Sequence, residues 1–300
     1  MATSVATEEG YISFQGYRTW YRVVGAREEP GKLPLLCLHG GPGAPHDYLE
    51  PLEAVAGTGR RVIFYDQLGC GNSDVPTDPS IYTMALYLQE LDAIRRALGL
   101  ERVHILGHSW GAMLAMEYAL APAVGMASLI LADGGASSPQ WATEMRRLVA
   151  ELPPEVQERI QTHEAAGTTD SLEYEEACRL FFSRHGSGRI DPRPDCLNRM
   201  DDKPGDEVYQ TMWGPCDFLV TGTLKDWDIV GRLGEIRAPT LVIGGRHDHA
   251  TPLITETVHR GIPGSEWVIF EKSGHFPHLE ETERYLQVLN RFLSQVEAQA

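Results

Sequence analysis

The stretch HILGHSWGAMLA, residues 104–115, decides the fold. An apolar run leads in, Ser109 stands between Gly107 and Gly111 at G-x-S-x-G spacing, and the run WGAMLAMEYAL that follows is compatible with a helix. Strand, tight turn and helix are the context in which this spacing carries meaning. A sharp elbow forces the serine into a strained backbone and crowds its neighbours, so glycine is needed on both sides. Glycine supplies 30 of 300 residues, and the bare spacing then arises by chance about 0.15 times in such a chain. Ser109 is therefore either a nucleophile on a strained turn or a small residue in a glycine-rich loop. A base, an acid and an oxyanion site elsewhere in the chain would decide between them.

Outward from that stretch, strands alternate with helices. YISF (11–14) and TWYRVVG (19–25) alternate polar and apolar residues as an antiparallel hairpin does. LPLLCLHG (33–40), RVIFYDQ (61–67) and RVHILGHS (102–109) are short apolar runs, and TMALYLQELDAIRRALGL (83–100) has helical spacing ending at Gly99. MASLILADGG (126–135) continues the series, PTLVIGGRHD (239–248) and SEWVIFEKSGH (265–275) resume it, and the chain closes on an amphipathic helix. Continuous apolar strands separated by helices predict an α/β fold with a mostly parallel sheet covered on both faces. Residues 136–232 differ: they carry helical patterns such as PQWATEMRRLVAEL and EEACRLFFSRH, several prolines and no buried strand. The expected organisation is a core of residues 1–135 and 233–300 with a helical cap, 136–232, above the strand ends.

Composition narrows the function. The chain is 42% hydrophobic and 23% charged without low-complexity tracts, as an ordered globular protein is. The opening MATSVATEEGYISF has no basic and apolar targeting pattern, and no apolar run reaches the roughly 18 residues of a membrane span. Five scattered cysteines without C-x-x-C spacing fit a reducing cytoplasm and argue against a zinc cluster. A net charge of −16 repels phosphate backbones, which excludes nucleic acid as the expected partner.

In open parallel sheets ligands bind beyond the carboxyl ends of the strands, and the candidate residues fall there. A serine hydroxyl needs a base oriented by a third group. His275 in EKSGHFPHLE and Asp248 in GGRHDHATP complete the chain order Ser, Asp, His; His247, His249 and His278 are nearby rivals for the base. LHGGPG (38–43) follows the first buried strand, and the amides of Gly41 and Trp110 are assigned to the oxyanion hole. Pro42 and Gly43 set the turn.

These motifs resemble the α/β-hydrolase fold and, within it, the proline iminopeptidases, including the tricorn-interacting aminopeptidase. The resemblance rests on HGGPG (39–43), FYDQLGCGNSD (64–74), GHSWG (107–111), GPCDFLVTGTLKDWDI (214–229), GRHDHATP (245–252) and SGHFPHLE (273–280), which span nearly the whole chain. It implies a serine exopeptidase that releases an N-terminal residue, preferably proline, from short peptides or aminoacyl amides, with no metal or cofactor. It also implies acidic residues around the substrate's free amine. Asp217 stands where glutamate is expected, Tyr209 matches a tyrosine near the amine, and His249 replaces a residue that is often acidic. Asp217 could alternatively cap a helix. Gly40 joins Asp217, Tyr209 and His249 as a substrate-contact candidate, and Trp110, Trp213 and Phe276 either wall the pocket or pack. The same triad also suits an amino-acid amidase, an esterase or an acyltransferase, and a non-catalytic receptor shares the fold. Aspartate-nucleophile hydrolases are excluded by serine at 109. The oligomeric state is open.

Overall fold

The computed structural model describes residues 6–121, 125–186 and 190–299. The strands are β1 (Thr7–Phe14), β2 (Tyr17–Val24), β3 (Leu35–Leu38), β4 (Val62–Tyr65), β5 (Val103–His108), β6 (Met126–Ala132), β7 (Thr240–Gly245) and β8 (Glu266–Phe270). They form one sheet in the order β1-β2-β4-β3-β5-β6-β7-β8. The β1–β2 and β2–β4 pairings are antiparallel and the rest are parallel. The opening hairpin and the buried runs of the sequence thus become the expected elements.

Each parallel strand feeds both faces because side chains alternate at period 2. Leu36, Leu38, Ile63, Ile105, Leu129 and Val242 enter one apolar cluster, and Leu35, Phe64, Leu106, Ile130, Leu241 and Ile243 enter the other. The first face is covered by α1 (Met84–Ala97) and α2 (Trp110–Leu120), and by α8 (Pro252–Gly261) beyond them. The second is covered by a 3-10 helix at His46–Thr58 and by α10 (Thr282–Ala298), with the short α9 (Pro277–Glu280) leading into it. Thr83 starts α1 by accepting a hydrogen bond from the Leu86 amide, which is why the helix begins after a threonine.

Between β6 and β7 the described residues form α3 (Ser138–Val149), α4 (Pro154–Ala166), α5 (Leu172–His185), α6 (Asp195–Asp201) and α7 (Asp206–Met212), and no sheet strand. The two ends of this insertion are tied together. The Ser138 amide donates to the Trp227 carbonyl (2.8 Å), the Ile229 amide to Ala136 (2.9 Å), and the Ser137 hydroxyl to Asp228 (2.8 Å). On the core, buried Asp47 accepts Lys203 at 2.7 and 2.8 Å, and Arg199 bonds Glu50. None of the helices among the described residues is long and apolar enough to cross a membrane. All five cysteines are buried free thiols.

Candidate active site

The turn after β5 places Ser109 at φ 56°, ψ −119°, a left-handed conformation that side-chain-bearing residues rarely hold. The crowding explains both glycines of the motif. A Cβ on Gly107 would lie 2.1 Å from the Gly111 carbonyl oxygen, and one on Gly111 would lie 2.2 Å from the Leu38 oxygen. The Ser109 amide donates to the Ala132 carbonyl at 2.8 Å, which ties the elbow to the end of β6. Ser109 opens onto a cavity of about 870 Å³ that is also lined by Gly40, Gly41, Tyr209, Asp217, His249 and His275.

Behind the cavity wall, the His275 Nδ1–H donates to Asp248 Oδ1 at 2.8 Å, and the Ala250 amide donates to the same oxygen at 2.9 Å. Burial pushes the Asp248 carboxyl up, but the charges of His275 and His249 outweigh it and leave the group below its ordinary range. The rivals of His275 are otherwise engaged. His278 points Nε2 at the Tyr48 carbonyl (3.0 Å) and burial lowers it to about 3; His247 is exposed. Glu280 clamps the loop on both sides of His275, accepting from the Gly274 amide (2.9 and 3.0 Å) and the Phe276 amide (3.2 Å). The role of Glu280 was not read from sequence; the SGHFPHLE segment holds it five residues beyond the histidine.

Gly41 sits at φ 105°, so its peptide adopts a direction that L side chains disfavour. The amides of Gly41 and Trp110 have no hydrogen-bond acceptor among the described residues. Gly40 differs: its amide donates to the Tyr48 hydroxyl at 2.7 Å, so it is spent on the scaffold. Tyr48 in turn reaches His108 Nδ1 at 3.0 Å, and the His108 Nε2–H donates to the His275 carbonyl at 2.7 Å. One buried chain therefore links the glycine loop to the histidine loop. The FYDQLGCGNSD segment is part of the same scaffold. Gln67 accepts from the Trp110 indole (2.8 Å) and donates to the His39 carbonyl (3.1 Å), and Asp66 accepts from His46 and Asn72. Of the three aromatic candidates, Phe276 lines the cavity. Trp110 and Trp213 pack inside instead, the latter edge-on to Trp141 at 5.5 Å.

Asp217 faces the cavity and caps no helix among the described residues; its neighbours are Tyr209 and His249. The Tyr209 hydroxyl donates to Oδ1, and the His249 Nε2–H donates to Oδ2 at 3.0 Å. The other ring nitrogen of His249 faces the His185 carbonyl at 3.2 Å and Asp248 Oδ1 at 3.5 Å. With acceptors on both sides the ring is an imidazolium. Burial opposes that charge, but Asp248 and Asp217 raise His249 to about 9. The cation in turn holds Asp217, which burial alone would raise, below the ordinary carboxylate range. Its ring lies 4.0 Å from that of His275. Two groups of metal-capable side chains occur among the described residues: Asp248, His249 and His275, and His46, Asp47 and Glu50. Both direct donor atoms at protein partners: His275 at Asp248, and His46 at Asp66.

Residues 34–282 match the family model for the α/β hydrolase fold. The proline iminopeptidase of Clostridium botulinum is 44% identical over 289 residues, covering 95% of this chain and 98% of that protein. Among solved structures, VinJ superimposes with a TM-score of 0.88 at 40% identity, covering 96% and 99% of the two chains. Proline iminopeptidase from Mycobacterium smegmatis gives 0.86 at 38%, covering 97% and 99%. With a serine elbow, a histidine–aspartate pair at the neighbouring strand ends and near-full-length similarity, the chain belongs to the α/β-hydrolase fold family and, within it, to the proline iminopeptidases.

Proposed function

We propose that this protein is a serine exopeptidase that releases an N-terminal residue, proline by preference, from short peptides or aminoacyl amides. The observation that carries the reading is the shared cavity. Ser109 and His275 open onto the same space as Asp217, a carboxylate for the substrate's amine. An anionic anchor near the nucleophile selects a scissile bond next to a free amino terminus.

In this reading His275 takes the proton from Ser109 and Ser109 attacks the acyl carbon. Asp248 stabilises the imidazolium, and the unpartnered amides of Gly41 and Trp110 hold the oxyanion. His275 then protonates the leaving amine, and water hydrolyses the acyl-enzyme. The helical segment 136–232 acts as the cap that supplies Asp217 and Tyr209 and encloses the amine. His249 donates to Oδ2 of Asp217 and keeps it ionised, so one carboxylate braced by an imidazolium receives the amine in place of two carboxylates. Gly40 contributes close approach: a Cβ there would meet the Ser109 Cβ at 3.0 Å. The work site is the cytoplasm, in keeping with free buried thiols, and the −16 charge disfavours nucleic acid.

The test is a panel of proline arylamide, other aminoacyl amides, dipeptides and simple acyl esters, run with the wild type and Ser109→Ala. The expected result is preference for proline arylamide and a loss of several orders of magnitude in kcat in the variant. Near-wild-type activity of Ser109→Ala, or a preference for esters lacking an amine, overturns the reading.

A further inference from the structure

Asp133 follows β6 as the Asp248 loop follows β7, and these strands are parallel neighbours with Ala132 beside Ile243. Both carboxylates are buried; Asp133 has no accessible surface. The Asp133 backbone is held at φ 53°, a strained conformation for a residue with a side chain, so its direction is fixed by the fold. Its amide donates to the Ile243 carbonyl at 2.9 Å, and its Oδ1 accepts from the Gly245 amide at 3.0 Å. Asp248 spends Oδ1 on His275 and the Ala250 amide. That leaves Oδ2 of each buried and without a donor among the described residues, and the Asp248 charge acts on Asp133.

Two ionised carboxylates that interact away from water repel strongly, and each would also carry an orphaned acceptor. One proton between them removes both problems. Its location follows from the neighbours. Asp248 faces His275 and His249, whereas the groups around Asp133 are Asp248, His108 from β5, Glu280 from α9, Tyr285 from α10 and Tyr48 from the 3-10 helix. His108 lies 3.8 Å away, but burial keeps it neutral and its Nε2–H goes to the His275 carbonyl. No cation faces Asp133 among the described residues.

We propose that Asp133 carries a proton at neutral pH and donates it to Oδ2 of Asp248, acting as a positioning residue that extends the Ser109–His275–Asp248 relay by one carboxylic acid. The proposal rests on the triad reading above and adds a fourth member to it. Burial and the adjacent Asp248 charge, together with the hydrogen bond between them, hold the Asp133 carboxyl well above its ordinary range. The donated bond fixes the plane of Asp248 so that Oδ1 stays on His275 Nδ1.

The experiment compares the wild type with Asp133→Asn and Asp133→Ala. Asparagine keeps an N–H for Asp248 and a carbonyl for the Gly245 amide, so kcat should stay within about threefold. Alanine removes both bonds, and kcat should fall about 10- to 100-fold, the range of one charge-assisted hydrogen bond, with KM changed less than about twofold. The wild type should also lose kcat at alkaline pH as Asp133 ionises, and Asp133→Asn should lack that limb. Independently of turnover, infrared difference spectra of wild type minus Asp133→Asn at neutral pH should contain the C=O stretch of a protonated carboxylic acid; any such band from Glu90 cancels. Absence of the band, superimposable kcat–pH profiles, or an Asp133→Asn variant as impaired as Asp133→Ala overturns the proposal. If the peptidase reading alone fails, the infrared band remains.

Discussion

Replacing His249 with glutamine should destabilise the protein in a way that fades at high pH. The free imidazole titrates at 6.5, and beside Asp248 and Asp217 it rises to about 9 despite burial. At about 1.36 kcal/mol per pKa unit, that rise corresponds to about 3 kcal/mol. Only 2% of the side chain is exposed, so solvent screening takes little away. For a base whose folded value lies above its unfolded one, the stabilisation is complete below pH 6.5 and disappears as pH climbs through about 9. Glutamine keeps one N–H for Asp217 but no charge. Urea unfolding near pH 6 should therefore show His249→Gln less stable by about 3 kcal/mol. Near pH 10 the wild-type ring is neutral too, and the gap should close to within about 1 kcal/mol. A gap that is equal at both pH values refutes the argument, because it would mean that His249 contributes shape and not charge.

Three further perturbations separate the parts of the site. Asp217→Asn should raise KM for proline arylamide about tenfold or more while leaving an acyl ester without an amine within about twofold, measured by steady-state kinetics. Tyr48→Phe removes the acceptor of the Gly40 amide and the donor to His108. It should lower kcat about tenfold with little change in KM, and an equal loss in kcat/KM from KM alone would contradict the positioning role. Glu90, fully buried, accepts from Thr19 and the Leu68 amide, and burial raises its carboxyl to about 8. An acid raised in the fold stabilises fully below its unfolded value and loses that contribution as pH rises. The wild type should thus lose stability relative to Glu90→Gln by about 1.4 kcal/mol per pH unit between 4.5 and 8, read from denaturant midpoints, and parallel curves would contradict this.

What the sequence disclosed and what it hid follow from the range of each interaction. Strand positions were legible because a strand buried on both faces needs an unbroken apolar run, as LLCL, VIFY and VHIL show. The elbow was legible because its crowding can be met by glycine alone at 107 and 111. The expectation for Asp248 and His275 rested on the chain order Ser, Asp, His on loops after strands and, for His275, on its place behind Gly274. Hidden residues are those whose role is created by packing between distant segments. Tyr48 lies in a 13-residue 3-10 helix interrupted by Pro51, a segment with no helical apolar period to announce it. Glu90 shares the buried face of α1 with Leu86, Tyr87, Leu91 and Ile94, so the spacing places it inside, but nothing local names Thr19 and Leu68 as its partners. The substitution at His249 was visible as a departure from acidic residues, yet its meaning was not. Read alone it subtracts a charge from the amine subsite that the resemblance implies. Placed between Asp217 and Asp248 it does more, because it lowers both carboxylates and lies tilted against the His275 ring. Asp133 shows the same limit most sharply. In LILADGG it is one polar residue ending an apolar strand, and only the register of β6 against β7 sets it beside the strand that leads to Asp248. Asp217 and Asp248 therefore form one electrostatic unit joined through His249. A change that neutralises that imidazolium should alter amine affinity and kcat together, whereas removing Asp217 alone should alter affinity and spare the chemistry.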